Sequence, residues 1–375
     1  MKKILFSAII LVLSTSALLS QSFLPVYQRG HGEFVADLEI GNDIESEVSS
    51  FNLPVDICVD DAGNIIVADF RDFVVKIFDS DGKYVKTVSR QGSGPGEHSS
   101  LMGMTLNSDD RIVTNDFGNR RFNIFESNGE FVKSIPIKDV IPSIYQFVRE
   151  IRSTTNGWLI LSTRKFNIQN QDEGSLYSIL ITGNSFEHKT VLDSFRVFDV
   201  KYISEPSYMP IPMPYAPKLI VCAIHSGGLV IGKSDESELS LYNKDLNLEK
   251  KFKHGIKLQK ITRKDKNRYW ARLDSAYEAS NRPHETLDLL KKNTEIPDYF
   301  PYYDDIYVDH EGFILLKPLF DVEKDHYYVY TESGEFVNRV KIDNMPMRPV
   351  FRHGYVYGLN YTEEGIFTVV RRKFE

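Results

Sequence analysis

Cysteine and tryptophan are scarce in this sequence, with only two of each among 375 residues. Two cysteines exclude a disulfide-dense scaffold and a zinc module built from several thiolates. The nine histidines show neither His-x-His nor His-x-x-x-His spacing, although spacing cannot detect ligands that come from separate segments. A Gly-x-Ser-x-Gly nucleophile elbow is absent as well. We therefore predict no catalytic residue, no metal ligand and no cofactor.

Long apolar runs are missing beyond the N-terminus. Ile4–Leu13 is apolar, follows Lys2 and Lys3, and precedes small residues, which is the order found in a secretory signal peptide. We predict a signal peptide over residues 1–20, cut after Ala17 or near Ser20–Ser22, and a mature chain that is periplasmic, at the cell surface or extracellular. The alternative is a membrane anchor, for which this run is short.

Positive charge is not in excess. The net charge is −7, and loss of Lys2 and Lys3 with the signal peptide would make it −9. An acidic chain argues against broad binding to nucleic acids or anionic membranes. We expect no nucleic-acid partner, no transmembrane span in the mature chain, and a monomer.

The segment Pro54–Val88 contains four short runs of β-branched and aromatic residues separated by Asp, Gly and Asn turns. These are the signals of strands joined in hairpins. The pattern returns after 47 residues, where Asp69, Phe78, Gly82 and Val85 recur as Asp116, Phe125, Gly129 and Val132. Four strands repeating every ~40–50 residues predict the blades of a β-propeller.

Three segments carry a family resemblance, namely Pro54–Asp69, Ile77–Lys83 and Gly92–Glu97. Their pattern of P-x-x-I-x-V-D-D-x-G-N-I-x-V-A-D, I-F-D-x-D-G-K and G-x-G-P-G-E resembles NHL-type propeller repeats. With the signal peptide, the chain is similar to bacterial secreted six-bladed β-propeller proteins. The resemblance implies a fold and export, and it carries no catalytic residues.

We therefore predict an all-β, six-bladed propeller over residues 21–375. Phe34–Ile40 is expected to supply the outer strand of the last blade and so close the ring; the alternative is an edge strand on blade 1. Residues 263–292 break the repeat with helical spacing and predict a helical insertion between blades 4 and 5. The proline-rich segment 206–217 predicts a long connection after blade 3, whose fourth strand is expected near Thr190–Leu192.

Cys58 and Cys222 fall on the first strands of blades 1 and 4, which lie opposite each other in a six-bladed ring. We expect them to be too far apart for a disulfide and to be small buried thiols. Asp69 and Asp116 both end second strands. A pair of carboxylates on one face is compatible with a cation site, but a short Asp that closes the turn by accepting backbone N–H groups is the favoured interpretation.

Six basic residues lie in or directly before the turns that follow second strands, and we predict that they form a cationic rim. These candidate ligand-binding residues are Arg71, Arg120, Arg121, Arg164, Lys233 and Lys317. A rim of cations suits a carboxylate, an acidic glycan or an acidic peptide. The alternative is a solvated rim paired with neighbouring acids.

Three functions follow from this reading. The leading one is an exported, non-enzymatic binding module that recognises a protein, peptide or glycan through one face of the propeller. The alternative is a metal-dependent hydrolase or lyase, lactonase-like or amidating-lyase-like, with its site at the central channel. A third is a subunit of a surface or sugar-uptake assembly, for which the helical insertion would expose an apolar face.

Overall fold

A computed structural model describes residues 22–43, 46, 48–141, 146–165, 175–186, 189–197, 200–203, 209–279, 284–320 and 325–375. The chain begins with a short helix, α1 (Leu24–Arg29), and a strand, β1 (His31–Ile40). Four-stranded antiparallel sheets follow, as the alternating pattern predicts. Within the described residues, no helix is long and apolar enough to cross a membrane.

Blades 1 and 2 repeat the same four-stranded meander. The strands of blade 1 are β2 (Pro54–Val59), β3 (Ile65–Asp69), β4 (Val74–Phe78) and β5 (Tyr84–Val88). Those of blade 2 are β6 (Leu101–Leu106), β7 (Ile112–Asp116), β8 (Arg121–Phe125) and β9 (Phe131–Pro136), followed by a helical turn, α2 (Ile137–Val140). Asp69 and Asp116 end the second strand of their blades, so the 47-residue spacing is a structural repeat.

Blade 3 is longer than the repeat predicts. Its strands are β10 (Gln146–Ser153), β11 (Trp158–Lys165), β12 (Ser175–Gly183) and β13 (Lys189–Val197). The fourth strand therefore contains the expected Thr190–Leu192 but continues five residues further, to Val197. The connection itself carries a separate two-stranded ribbon of β14 (Val200–Ile203) and β15 (Met209–Pro212), outside any blade.

Blades 4 and 5 flank the helical insertion. Blade 4 comprises β16 (Leu219–Ala223), β17 (Leu229–Lys233), β18 (Glu238–Tyr242) and β19 (Leu248–Lys253). Two helices follow, α3 (Arg263–Ala279) and α4 (His284–Asn293), where the loss of strand periodicity predicted an insertion. Blade 5 comprises β20 (Tyr303–Val308), β21 (Ile314–Pro318), β22 (His326–Tyr330) and β23 (Phe336–Asp343).

The two ends of the chain close the ring. Blade 6 comprises β24 (Met347–Arg352), β25 (Tyr355–Tyr361), β26 (Phe367–Phe374) and the N-terminal β1. β1 pairs antiparallel with β26 from Phe34 opposite Phe374 to Ile40 opposite Val369. Its first residues also pair parallel with β23 of blade 5. The predicted closure is confirmed, and it joins blades 5 and 6 as well as completing blade 6.

The core is divided among the gaps between blades. One apolar cluster fills each of the six gaps, including the gap between blade 6 and blade 1. Val75 and Leu101 meet between blades 1 and 2, while Ile65 and Tyr357 meet across the closure. Each sheet is thus buried on both faces by its neighbours, and the prediction of a six-bladed propeller is confirmed.

Candidate functional site

Strand alternation divides the turns between two faces. We label the four strands of a blade A to D. Turns between B and C, and the connections between blades, share one face, which we call the B–C face. Turns between A and B and between C and D share the opposite face, which we call the A–B face.

Asp69 anchors the B–C turn of blade 1. It is fully buried, and its carboxylate accepts hydrogen bonds from the backbone N–H groups of Asn52, Leu53, Arg71 and Asp72 over 2.7–3.4 Å. Those donors would otherwise be unpaired at the entry to the blade. The favoured interpretation of Asp69 as a turn-closing residue is confirmed.

Asp116 does the same in blade 2. Its carboxylate accepts from the backbone of Ser99, Ser100 and Asn119, and from the side chain of Asn119. It also forms an ion pair with Arg121, with 3.2 Å between Oδ2 and Nε. Both aspartates are therefore committed to internal donors, which leaves no carboxylate pair for a cation here.

Arg71 and Arg120 are exposed on the B–C face, in the turns of adjacent blades. Each turn also carries an aromatic residue directly after the strand-ending Asp, half-buried Phe70 and exposed Phe117. The backbone N–H groups of these aromatics bond equivalent carbonyls, those of Leu53 and Ser100. Each of the two turns thus has an exposed arginine and an aromatic residue after the Asp, and the turn of blade 1 has a second aromatic residue, Phe73, whose ring centroid lies 6.4 Å from that of Phe70.

Arg121 has a different environment from Arg71 and Arg120. Besides Asp116, its guanidinium donates to the carbonyls of Ser93, Gly94 and Glu97 in the glycine-rich connection between blades 1 and 2. Only 15% of its side chain is exposed. The donors of this guanidinium are already used to hold the connection against the B–C turn.

The remaining rim candidates are dispersed. Lys233 lies within 3.6 Å of Asp235 and 3.1 Å of Glu236, so its charge is compensated locally. Arg164 and Lys317 lie within second strands, opposite Tyr177 and Asp305 respectively in the strand register. The rim as a ligand site stays a prediction. The side chain of Arg164 lies outside the described part of the structure, and among the other members Arg71 and Arg120 are exposed.

Aromatic residues collect on the B–C face beside the helical insertion. Tyr215 lies edge-on to Phe300 with ring centroids 4.8 Å apart, and Phe300 stacks on Phe320 at the same distance. Tyr269 of α3 contacts Tyr215 and its neighbour Trp270. Tyr269 therefore packs on the connection before blade 4, whereas Tyr277 packs against Leu287 and Leu290 between the two helices.

Charged side chains also meet in the central channel, where the A strands converge. Arg152 on β10 lies 2.5 Å from Glu150 of the same strand and 3.5 Å from Asp56 of blade 1. Burial disfavours its charge, but the two carboxylates outweigh burial and raise the pKa of Arg152. Asp56 also accepts from the backbone N–H of Met104 in blade 2.

We did not identify this cluster from the sequence, because the A strand of blade 3 was not located. The repeat contains the signal nevertheless. Glu150 lies 94 residues after Asp56 and Arg152 lies 94 residues after Cys58, which is twice the spacing between blades 1 and 2. Counting two repeats of 47 residues from Asp56 and Cys58 therefore places Glu150 and Arg152 at the same positions of an A strand, beside the channel.

The two cysteines occupy equivalent channel positions in blades 1 and 4. Cys58 Sγ lies 3.9 Å from the carbonyl of Met104, and Cys222 Sγ lies 3.1 Å from that of Ile306. Both thiols are free, and each faces the next blade. Both cysteines are half-buried. Burial raises the pKa of Cys58 to about 12 and also raises that of Cys222, so both thiols are protonated at neutral pH.

Blade 5 adds a further buried carboxyl group to the channel. Burial raises the pKa of Asp305, and burial with the nearby Asp305 raises that of Tyr307. Even so, no group of three His, Cys, Asp or Glu among the described residues is arranged to hold a metal ion. The channel cluster of the described chain is an ion-pair network around Arg152.

Comparison with known proteins agrees with this architecture. Residues 50–193 match the model of a protein family described as a six-bladed β-propeller. Blades 1 and 2 and most of blade 3 therefore match such a family in sequence as well as in fold. No curated protein is detectably similar to this chain in sequence.

Several solved structures share the fold at low sequence identity. A member of the duf4221 family from Bacteroides vulgatus is 11% identical, with a TM-score of 0.51, over 92% of this chain and 99% of that one. A nominally exported protein from Bacteroides fragilis is 10% identical, with a TM-score of 0.50, over 91% and 94% of the two chains. A virginiamycin B lyase from Staphylococcus aureus is 11% identical, with a TM-score of 0.44, over 91% and 99%. Since propellers serve many functions, this likeness concerns the fold alone.

Proposed function

We propose that this protein is an exported binding module that takes an acidic protein, peptide or glycan on the B–C face of blades 1 and 2. The observation that carries the proposal is that the B–C turns of two adjacent blades each hold an exposed arginine and an aromatic residue directly after the buried Asp, Arg71 and Phe70 in blade 1, Arg120 and Phe117 in blade 2. The two arginines stand at different positions of their turns. Arginine and aromatic residues dominate the binding energy of protein interfaces. Arginine also matches the planar geometry of a carboxylate.

The arrangement favours recognition over catalysis. The two turns are anchored by buried Asp69 and Asp116, so their side chains project from a rigid base and lose little conformational freedom on binding. The mature chain as a whole is acidic, with a net charge of −9 once Lys2 and Lys3 are removed. An acidic ligand would therefore be repelled elsewhere and attracted here.

The test is binding of the mature chain to two acidic polymers, poly-L-glutamate and polygalacturonate, measured by calorimetry at low and high salt. The double variant Arg71→Glu/Arg120→Glu is expected to lose about tenfold or more in affinity, since ~1.4 kcal/mol corresponds to a factor of ten. Binding by the parent chain should also weaken with salt.

The matched control is Lys83→Glu/Lys244→Glu, which reverses two exposed lysines in C–D turns on the A–B face. It changes the net charge equally and is expected to bind as the parent does. Equal losses in both double variants, or no binding by the parent, would refute the proposal. A large chelator-sensitive shift in Tm with Ca²⁺ or Zn²⁺ would instead support the metal-dependent hydrolase or lyase.

A further inference from the structure

Within the described residues, exposure changes abruptly between Ser22 and Phe23. Ser22 is exposed, whereas Phe23 is 0% exposed. The ring of Phe23 makes edge contacts with Phe34 and Phe374, which belong to the β1–β26 closure, and with Tyr27 of α1. Phe23 is thus the first residue of the apolar core between blades 5 and 6.

The backbone nitrogen of Phe23 faces a carboxylate from a distant part of the chain. It donates to Oε2 of Glu311 at 2.5 Å, and Glu311 lies in the A–B turn of blade 5. The carbonyl of the same residue accepts from Val26 and Tyr27 at the start of α1. A nitrogen held against a carboxylate is also a suitable position for a positive charge.

The residues on either side of this boundary fit a processing site. Ser20 and Ser22 occupy the third and first positions before the Ser22–Phe23 bond, where signal peptidases require small residues. Thr15 and Ala17 have the same relation to the bond after Ala17. The sequence therefore offers both cuts, but the second would leave Leu18–Ser22 ahead of the buried Phe23.

We propose that a signal peptidase cuts this chain between Ser22 and Phe23, and that the new α-ammonium group of Phe23 pairs with Glu311. Water adds across the peptide bond, so the leader departs with the carboxylate of Ser22 and the mature chain begins with the amine of Phe23. The amine is protonated near neutral pH. The inference rests on the export that is part of the proposed function.

Processing would then contribute to closure of the ring. In a chain that starts earlier, Phe23 offers Glu311 an amide hydrogen, which is a neutral donor. After the cut, the same nitrogen offers a charged donor, and hydrogen bonds to charged groups are the stronger ones. Cleavage acts on the unfolded chain as it leaves the membrane, so the later burial of Phe23 does not obstruct it.

The first experiment exports the full chain in a Gram-negative host and determines the start of the mature protein by N-terminal sequencing and intact mass. We expect a chain that begins at Phe23. Ser22→Leu, at an exposed position, is expected to move the start or leave the precursor uncut, while the control Ala17→Leu should still start at Phe23. A start at Leu18 or Gln21 overturns the cut but leaves export standing, whereas an uncut parent chain retained in the cell overturns both.

The second experiment tests the ion pair by itself. A chain released from a fusion to begin at Phe23 is compared with one that begins at Ser22, each with and without Glu311→Gln. We expect this substitution to lower Tm by about 1–3 °C more in the Phe23 chain, as fits the small contribution of a partly exposed ion pair. Equal losses in the two chains would show that the ammonium group does not pair with Glu311.

Discussion

Blades 1 and 4 attach the B–C turn to the entry of the blade in different ways. In blade 1 the carboxylate of Asp69 accepts four backbone N–H groups, including that of Leu53. In blade 4 Lys233 ends the second strand, and the hydroxyl of the next residue, Ser234, accepts from the backbone of Lys218 at 2.9 Å. The same main-chain geometry is thus held by a buried charge in one blade and by a neutral hydroxyl in the other.

The connections that follow these blades also differ, although each buries a histidine. His98 lies between the hydroxyls of Ser89 and Thr114, at 2.8 and 2.7 Å. His254 accepts from the backbone of Ile256 at Nδ1, so Nε2 carries the proton toward the carbonyl of Glu236. Burial lowers the pKa of both, to about 4 in the case of His98.

The comparison teaches that the propeller fixes positions and not residue types. Blades 1 and 4 must both pair a backbone donor at the blade entry, and an aspartate serves in one and a serine in the other. The repeat is therefore plain in blades 1 and 2, which use the same residues, and fades where other residues take over.

The largest expected effect is on the free energy of unfolding, and it distinguishes the carboxylate of Asp69 from the hydroxyl of Ser234. Asp69→Ala should lower the free energy of unfolding by about 3 kcal/mol or more, because several buried N–H groups lose a charged acceptor. Ser234→Ala should cost about 1 kcal/mol, since a single neutral bond is lost. Urea denaturation measures both. The exposed Asp81→Ala in a C–D turn is the control and should change little. Equal losses of unfolding free energy for Asp69→Ala and Ser234→Ala would show that the buried carboxylate contributes no more than the hydroxyl.

The buried histidines predict the next effect, which depends on pH. Between pH 6.5 and about 4, residue 98 binds a proton in the unfolded chain but not in the folded one, so this group destabilises the fold as the pH falls. The free energy of unfolding of the parent minus that of His98→Gln, which we call the gap, should therefore shrink by about 2–3 kcal/mol from pH 7 to pH 4. Urea denaturation at each pH measures it.

Asp309 opposes this trend and explains why the difference must be measured. Its pKa is raised to about 6 by burial, so the folded chain binds a proton that the unfolded chain releases above its usual pKa, and stability rises as the pH falls through 6. Because Asp309 is present in both proteins, its contribution cancels in the gap. A gap that does not vary with pH would contradict the neutral, buried state of His98.

The smallest effect concerns two members of the predicted cationic rim. Arg121→Ala should cost about 1–2 kcal/mol, because the guanidinium bonds Asp116 and three carbonyls of the connection. Lys233→Ala should cost less than about 1 kcal/mol, because this largely covered lysine loses only ion pairs with the exposed carboxylates of Asp235 and Glu236. Thermal unfolding measures both, and a larger loss at Lys233 would reverse our ranking of the two.

Much of the fold was predictable from the sequence. Alternation and turn residues predicted the strands of blades 1 and 2 nearly to their ends, and the loss of alternation predicted the helices after blade 4. The shortage of one outer strand at the C-terminus predicted that Phe34–Ile40 would complete the last blade, which the pairing with β26 confirms. Each of these inferences depends on local patterns and on counting strands.

The candidate site was less predictable. Arg71, Arg120 and Arg121 share a face by strand alternation, yet their environments differ because the glycine-rich connection folds back onto Arg121 alone. The Arg152 cluster depends on residues from blades 1 and 3, which are separated by blade 2 in the ring. Its members are ordinary charges in their own strands, and they interact only because six A strands converge.

The local sequence was enough to specify the strands, the turns and their repeat. The alternation of side chains along a strand and the residue types of a short polar turn depend only on neighbouring residues. The tertiary structure alone decided which charges would be neutralised and which arginines left exposed. The physical reason is that desolvation and ion pairing depend on groups brought together by ring closure, from positions as far apart in sequence as Phe23 and Glu311.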